Sequence, residues 1–273
     1  MTRPRPLRFY QDQFPGEPLL DTAISHAMLR RVGSASVGES LRLYTPDDAV
    51  LFSSLDARRS GYAEALRRAE RAGFASVIRL AGGQAALFLE SSVAFAWAMP
   101  DPDARLHIRQ RFEHVANWIV ESLRRLGLDA RVGAVAGEYC HGEYSVNIGG
   151  RVKVMGVGQR VIQGAAHVGG VITVSQTERL RDTLVSIYRA LDLEFEPETA
   201  GGVADFDSSL GPGEVIEAMC AVLRETGYEI VPERFDDSIR KQAQALIPLH
   251  EPAGHRGPDL ARSARPLDPK TRV

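Results

Sequence analysis

Only two cysteines, Cys140 and Cys220, occur in 273 residues, too few to staple a disulfide scaffold. Neither belongs to a CxxC pair, no HExxH is present, and the seven histidines do not combine with the cysteines at metal-ligand spacing. No metal site is therefore expected. No apolar run approaches the roughly 20 residues of a membrane helix. The opening MTRPRPLRFYQDQFPG is basic without an apolar segment behind it, so a cytoplasmic chain with no membrane partner is expected. A dominant charge is lacking as well: 33 basic against 35 acidic residues leave a net charge of −2, which gives no reason to expect a nucleic-acid partner. Basic pairs such as Arg67-Arg68 and Arg124-Arg125 fall in helical patterns and read as solvated faces. No GxGxxG follows a strand, and no GxxxxGK followed by Ser or Thr occurs, so the two best-known nucleotide cradles are missing.

What is present is enough apolar material, 44% of residues, to build a core. Helical spacing places amphipathic helices over 20–32, 61–72, 106–126, 176–191 and 214–226. In the third of these Ile108, Phe112, Val115, Ile119 and Leu123 form the expected buried stripe. Cys220 falls among Val215, Met219 and Val222, where a cysteine acts as a small hydrophobe. Strands are expected at 40–44, 49–53, 76–80, 85–89 and 93–99. The near-continuous apolar run in the last suits a strand covered on both faces. The alternation gives an α/β (α+β) fold with a mixed, mainly antiparallel sheet flanked by helices. A single domain over 1–249 is expected, and the Pro-, Arg- and Gly-rich segment 250–273 reads as a flexible tail.

The chemistry concentrates between Gly137 and Gln159, GEYCHGEYSVNIGGRVKVMGVGQ. Cys140 sits in a glycine-flanked loop ahead of a strand, where exposed functional side chains gather. A thiol there is either a nucleophile or an idle loop residue. His141 beside it is a poor partner, because sequence neighbours usually point apart. Tyr144, Val146 and Ile148 alternate with polar residues, Gly149-Gly150 forms a loop, and Val152 and Val154 flank Lys153: a β-hairpin. With a strict two-residue loop Lys153 pairs with Val146 among apolar groups. One bulged residue instead moves it to the face of Asn147. Such a lysine either binds a carbonyl oxygen that gains charge during attack, or snorkels from a strand edge. Spacing leaves both readings open. The Gly82-Gly83 turn after Arg79 lets backbone N–H groups approach a carboxylate, phosphate or acyl group.

Three segments together resemble the biotin/lipoate protein ligase family, and more closely its cysteine-dependent octanoyl/lipoyl amidotransferases. Arg79-Leu80-Ala81-Gly82-Gly83-Gln84-Ala85 is similar to the family's acyl-binding turn. Tyr139-Cys140-His141-Gly142-Glu143-Tyr144 resembles the segment around the amidotransferase nucleophile. Lys153-Val154-Met155-Gly156-Val157-Gly158-Gln159-Arg160 resembles the stretch bearing the family's single essential lysine.

The resemblance implies a biotin/lipoate ligase-like catalytic domain with Cys140 and Lys153 catalytic. Arg79, Gly82, Gly83, Gln84, Gly156 and Gln159 would be substrate-binding. It implies transfer of an octanoyl or lipoyl group through a cysteine thioester onto a lysine of a lipoyl-domain protein. The donor would be an acylated carrier such as glycine cleavage H protein or acyl carrier protein, and no cofactor would be required. ATP-using ligases of the family carry a third glycine and a downstream His-Asp in the first motif. Gln84, Phe88 and Leu89 stand there instead, so an ATP- and Mg-dependent lipoate ligase is the second expectation. A non-catalytic acyl- or carrier-binding protein is the third.

Overall fold

The computed structural model describes residues 4–252. The largest sheet has eight strands in the order β11-β1-β2-β6-β10-β9-β8-β7. These are β1 (Arg5–Tyr10), β2 (Ser40–Tyr44), β6 (Val93–Pro100), β7 (Ala130–Val132), β8 (Val146–Ile148), β9 (Val152–Ile162), β10 (Ala165–Ile172) and β11 (Tyr228–Glu233). β1 runs parallel to both of its neighbours, and every other pairing is antiparallel. A second sheet orders β4 (Ala75–Ile78), β3 (Ala49–Phe52) and β5 (Ala86–Phe88) as β4-β3-β5. The architecture is thus mixed and mainly antiparallel, as expected, but divided between two sheets. The adjacent apolar runs at 85–89 and 93–99 part company at Glu90-Ser91-Ser92 and enter different sheets.

Six α-helices among the described residues flank the sheets: α1 (Pro18–Gly33), α2 (Tyr62–Arg71), α3 (Ile108–Arg125), α4 (Thr177–Ala190), α5 (Pro212–Glu225) and α6 (Asp237–Gln244). The first five match the helices expected from apolar spacing. Strand β6 is covered on both faces and buries all but its last residue. Trp97 lies edge-on to Trp118 of α3 at 5.0 Å, while Ala98 packs in the cluster that holds α1 and α6. Val115, Ile119 and Leu123 of α3 are fully buried, but Ile108 is 42% exposed. The start of α3 is tied to β9 through Gln159 but leaves Ile108 to solvent, and Phe112, one turn on, stacks on Tyr144 with centroids 5.1 Å apart. Cys220 is buried in the main core.

Strands β1, β7, β10 and β11 and helix α6 go beyond the sequence expectation. In β1 the run Arg5-Pro6-Leu7-Arg8-Phe9-Tyr10 hides its alternation behind a proline and two arginines. Its place is set by parallel pairing with β2 and β11, far apart in the chain. The expected tail, 250–273, lies outside the described residues apart from its first three. Of these His250 is buried: its carbonyl accepts the Ile78 N–H at 2.8 Å and its ring Nδ1 lies 2.8 Å from Ile78 O. No helix among the described residues is long and apolar enough to cross a membrane.

Because Ile119 is fully buried between α3 and the sheet, Ile119→Ala should destabilise the fold by about 2–5 kcal/mol through lost transfer energy and the cavity left behind. Equilibrium urea denaturation checks this.

Candidate active site

The hairpin register is set by a three-residue turn. Asn147 pairs with Lys153 and Ile148 with Val152, and a bulge then brings Val146 opposite Met155. Of the two registers open to the sequence, the structure therefore adopts the bulged one, with Lys153 on the face of Asn147. Gly149 and Gly150 take left-handed backbone angles, φ 64° and 74°, and the Asn147 Oδ1 accepts the Gly150 N–H at 2.8 Å. The Lys153 backbone is held from outside the hairpin, since the Gly201 N–H donates to its carbonyl at 3.1 Å.

Lys153 is neither an edge residue nor a free arm. It is 1% exposed, and its ammonium donates to Glu138 Oε1 at 3.1 Å and to the carbonyls of Tyr139 and Cys140, each at 2.9 Å. All three protons hold the loop that carries the cysteine. Burial pushes the amine below the usual lysine range, and the Glu138 carboxylate opposes the fall. Glu138 does more than balance charge. Its Oε1 also accepts the Gly142 N–H at 2.9 Å and the Ser145 hydroxyl at 2.7 Å, and its Oε2 accepts the Val135 N–H at 2.9 Å. One carboxylate thus ties together both flanks of Cys140.

Cys140 itself has φ 43°, a left-handed conformation that non-glycine residues seldom adopt and that concentrates at functional sites. Its Sγ accepts the Gln84 N–H at 3.1 Å and lies 3.8 Å from Arg79 Nη1. The same Arg79 nitrogen donates to Gln84 O at 2.9 Å, so the arginine braces the turn whose amide faces the sulfur. Gly83 is required there: at φ 112°, a Cβ would stand 3.0 Å from both Cys140 Sγ and Arg79 Nη1. His141 next to Cys140 is exposed and takes no part in this network.

Around these groups lies a cavity of about 360 Å³ lined by Arg79, Gly82, Gly83, Cys140, Lys153, Gly156 and Gln159, with apolar walls from Phe88, Phe95 and Val171. Gln84, the remaining residue singled out by sequence, joins through its backbone N–H. Gln159 lines the cavity while its amide spans to α3, accepting from Arg111 Nε at 2.7 Å and donating to Ile108 O at 3.2 Å. Sequence reasoning missed Glu138, two positions before the cysteine, and Tyr188 of α4. The Tyr188 hydroxyl accepts the Cys140 N–H at 2.8 Å and donates to Ala85 O at 3.0 Å. Apolar spacing on α4 marks position 188 as buried but says nothing of what its hydroxyl meets. His167 also lines the cavity; burial, then His26 and Arg79, pushes its imidazole down to about 3.

Fold and site define a mixed α/β domain that presents a thiol and a buried lysine at one apolar-walled cavity. Residues 17–207 match the lipoyl protein ligase A/B catalytic domain, and the chain belongs to that family. It is 25% identical over 189 residues to the octanoyl-[GcvH]:protein N-octanoyltransferase of Geobacillus kaustophilus, covering 68% of this chain and 66% of the relative. The same-named protein of an Exiguobacterium species is 25% identical over 178 residues, covering 62% and 63%. The matched part is thus just under two thirds of the length of these curated relatives. In fold the chain is similar to a bipartite lipoate protein ligase from Thermoplasma acidophilum, with TM-score 0.71, 23% identity and coverage of 89% and 92%. It is similar also to lipoate-protein ligase A bound with ATP, with TM-score 0.70, 22% identity and coverage of 90% and 95%.

Two predictions follow from the buried charges and histidines. Glu138→Gln leaves the Lys153 ammonium without its counter-charge and should cost about 3–5 kcal/mol of stability. Adding Lys153→Met should restore part of it, measured as thermal or urea midpoints. His167 and His26, the latter pushed down to about 4 chiefly by burial, stay neutral in the fold but protonate in the unfolded chain below about 6.5. The unfolded chain binds more protons in that window, so stability should fall as pH drops from about 6.5 towards 4. His167 alone should contribute up to about 1.4 kcal/mol per pH unit. His167→Phe should flatten that slope in urea titrations at pH 7 and pH 5.

Proposed function

We propose that this protein is an acyltransferase that moves an octanoyl or lipoyl group through a thioester on Cys140 to a lysine amine of a lipoyl-domain protein. The observation that carries the reading is the placement of the Cys140 sulfur. It faces an apolar-walled cavity with the Gln84 N–H and the Arg79 guanidinium directed at it. Donors so placed suit a sulfur that attacks a carbonyl, since the thiolate is the reactive form. The names of the curated relatives support the same reading.

In the first step the sulfur attacks the carbonyl carbon of the acyl group on a donor carrier. A C–S bond forms, the bond to the carrier's heteroatom breaks, and the thiol proton leaves with the carrier. In the second step the acceptor lysine's neutral amine attacks the thioester. A C–N bond forms, the C–S bond breaks, and the amine proton returns to sulfur. Atoms and charge balance without ATP, metal or water.

Lys153 serves the acyl oxygen by exchanging one of its two backbone carbonyl partners for it while keeping Glu138, so charge developing on that oxygen meets an ammonium in a low-dielectric site. Gly82, Gly83 and Gly156 lie along the acyl group, and Arg79, Gln84 and Gln159 shape the turn and wall that hold it. The donor is an acylated carrier of the glycine cleavage H protein type, as the relatives' names suggest, or an acyl carrier protein, and the reaction is placed in the cytoplasm. The competing reading, an ATP-dependent lipoate ligase, rests on the fold shared with the ATP-bound lipoate-protein ligase A.

Incubation with an octanoylated carrier should add one octanoyl mass to the intact protein, on Cys140, without nucleotide. Cys140→Ser should abolish the adduct and transfer together. An adduct that survives Cys140→Ser, or transfer seen only from free acid plus ATP with AMP released, would overturn the proposal.

A further inference from the structure

Three hydrogen bonds close a ring around the nucleophile. The Gln84 N–H donates to Cys140 Sγ at 3.1 Å, the Cys140 N–H donates to the Tyr188 hydroxyl at 2.8 Å, and that hydroxyl donates to Ala85 O at 3.0 Å. The chain itself supplies the remaining links, Gln84 to Ala85 on one side and the Cys140 Cα–Cβ–Sγ path on the other. Tyr188 belongs to α4, outside all three sequence segments that resemble the family's motifs.

Three features give the hydroxyl its importance. First, Cys140 has φ 43°, and such a conformation persists only where its surroundings over-determine it. The carbonyl side of Cys140 is held by Lys153, and the amide side by Tyr188. Second, Tyr188 is 1% exposed and its ring is fixed edge-on to Phe195, centroids 5.0 Å apart, so the hydroxyl is a rigid point. Third, burial drives the phenol well above the usual tyrosine range, with the Cys140 sulfur adding to the rise. The group therefore stays protonated and spends its one proton on Ala85 O.

We infer that Tyr188 is a positioning residue: its hydroxyl locks the Cys140 backbone to the Gln84-Ala85 turn, and so sets the distance between the nucleophilic sulfur and the amide that faces it. The inference rests on the transferase reading for its kinetic consequence. Its geometric consequence stands apart, because a displaced sulfur changes in reactivity towards any electrophile.

Tyr188→Phe keeps the ring and its contact with Phe195 and removes only the hydroxyl, leaving the Cys140 N–H and Ala85 O without it. An unpaired buried donor and acceptor cost enough to displace a loop. With an octanoylated carrier as donor, kcat should fall about tenfold or more while KM for the carrier stays unchanged, since the hydroxyl touches the nucleophile's backbone and not the acyl cavity. Alkylation of Cys140 by iodoacetamide at pH 7 should slow, because the displaced sulfur loses its set position against the Gln84 N–H. Tyr62→Phe is the control. Tyr62 is likewise buried, but its hydroxyl has no partner, so that variant should match the wild type in both assays.

Wild-type alkylation by Tyr188→Phe, or a loss of turnover shared by Tyr62→Phe, overturns the inference. If the wild type forms no acyl adduct while Tyr188→Phe still alkylates more slowly than wild type and Tyr62→Phe, the transferase reading falls and the positioning role stands. Circular dichroism and the melting midpoint establish that each variant is folded. A Tyr188→Phe chain that does not fold moves the test to Tyr188→Trp, which keeps an aromatic ring with an N–H donor, and the same two outcomes decide it.

Discussion

The Lys153 ammonium is almost fully buried, and each of its three protons is placed on a protein oxygen. Desolvating an ammonium costs several kcal/mol, and a lone buried partner seldom repays it. Here the repayment is divided between one carboxylate and two backbone carbonyls. Those carbonyls belong to Tyr139 and Cys140, so satisfying the lysine and shaping the loop that carries Cys140 are one event. Glu138 extends the constraint, gathering Val135, Gly142 and Ser145 onto the same side chain. The loop around Cys140 has little regular secondary structure, and it owes its shape to this buried ion pair.

The two sheets divide the work of the site. The eight-stranded sheet carries Lys153 and Gly156 on β9 and the cavity-lining residues of β10, while the three-stranded sheet carries the Arg79–Ala85 turn between β4 and β5. Cys140 comes from the loop between β7 and β8 and meets both. Its carbonyl is held by the lysine of one sheet, and its sulfur faces an amide from a turn of the other. Tyr188 ties the two from a helix that packs against the smaller sheet. The cavity forms where the parts converge, and Gly83 keeps the approach open because a side chain there would collide with the sulfur and the arginine.

Much of the fold was legible because its elements announce themselves by periodicity. Five helices with apolar stripes and the strand at 40–44 stand where spacing puts them. Strands β1, β7 and β11 were not legible, since they are short or interrupted and are defined by partners far away in the chain. Ile108 and Phe112 continue the stripe of α3 by spacing, yet Ile108 is exposed and Phe112 stacks on Tyr144, and a periodic pattern carries no record of which residues it will meet. In the site, Cys140, Lys153 and the Arg79–Gln84 turn were visible as residue types in unusual company. Glu138 and Tyr188 were not, because a carboxylate beside a tyrosine and a tyrosine on a helix stripe are ordinary until their partners are known.

By itself the sequence determined that this is an α/β domain with one thiol in a glycine-flanked loop, one lysine on a hairpin and a glycine turn after an arginine. These are consequences of local chemistry: periodicity, turn preference and residue type. It left open the register of Lys153, which a single bulged residue changes from one face to the other. It also left open whether that lysine is an edge decoration or a buried charge. Only the tertiary structure decided both, because burial and partnership depend on segments brought together from residues 79–85, 138–145, 153 and 188. The left-handed Cys140, its amide on Tyr188 and its carbonyl on Lys153, exists only once all four have met.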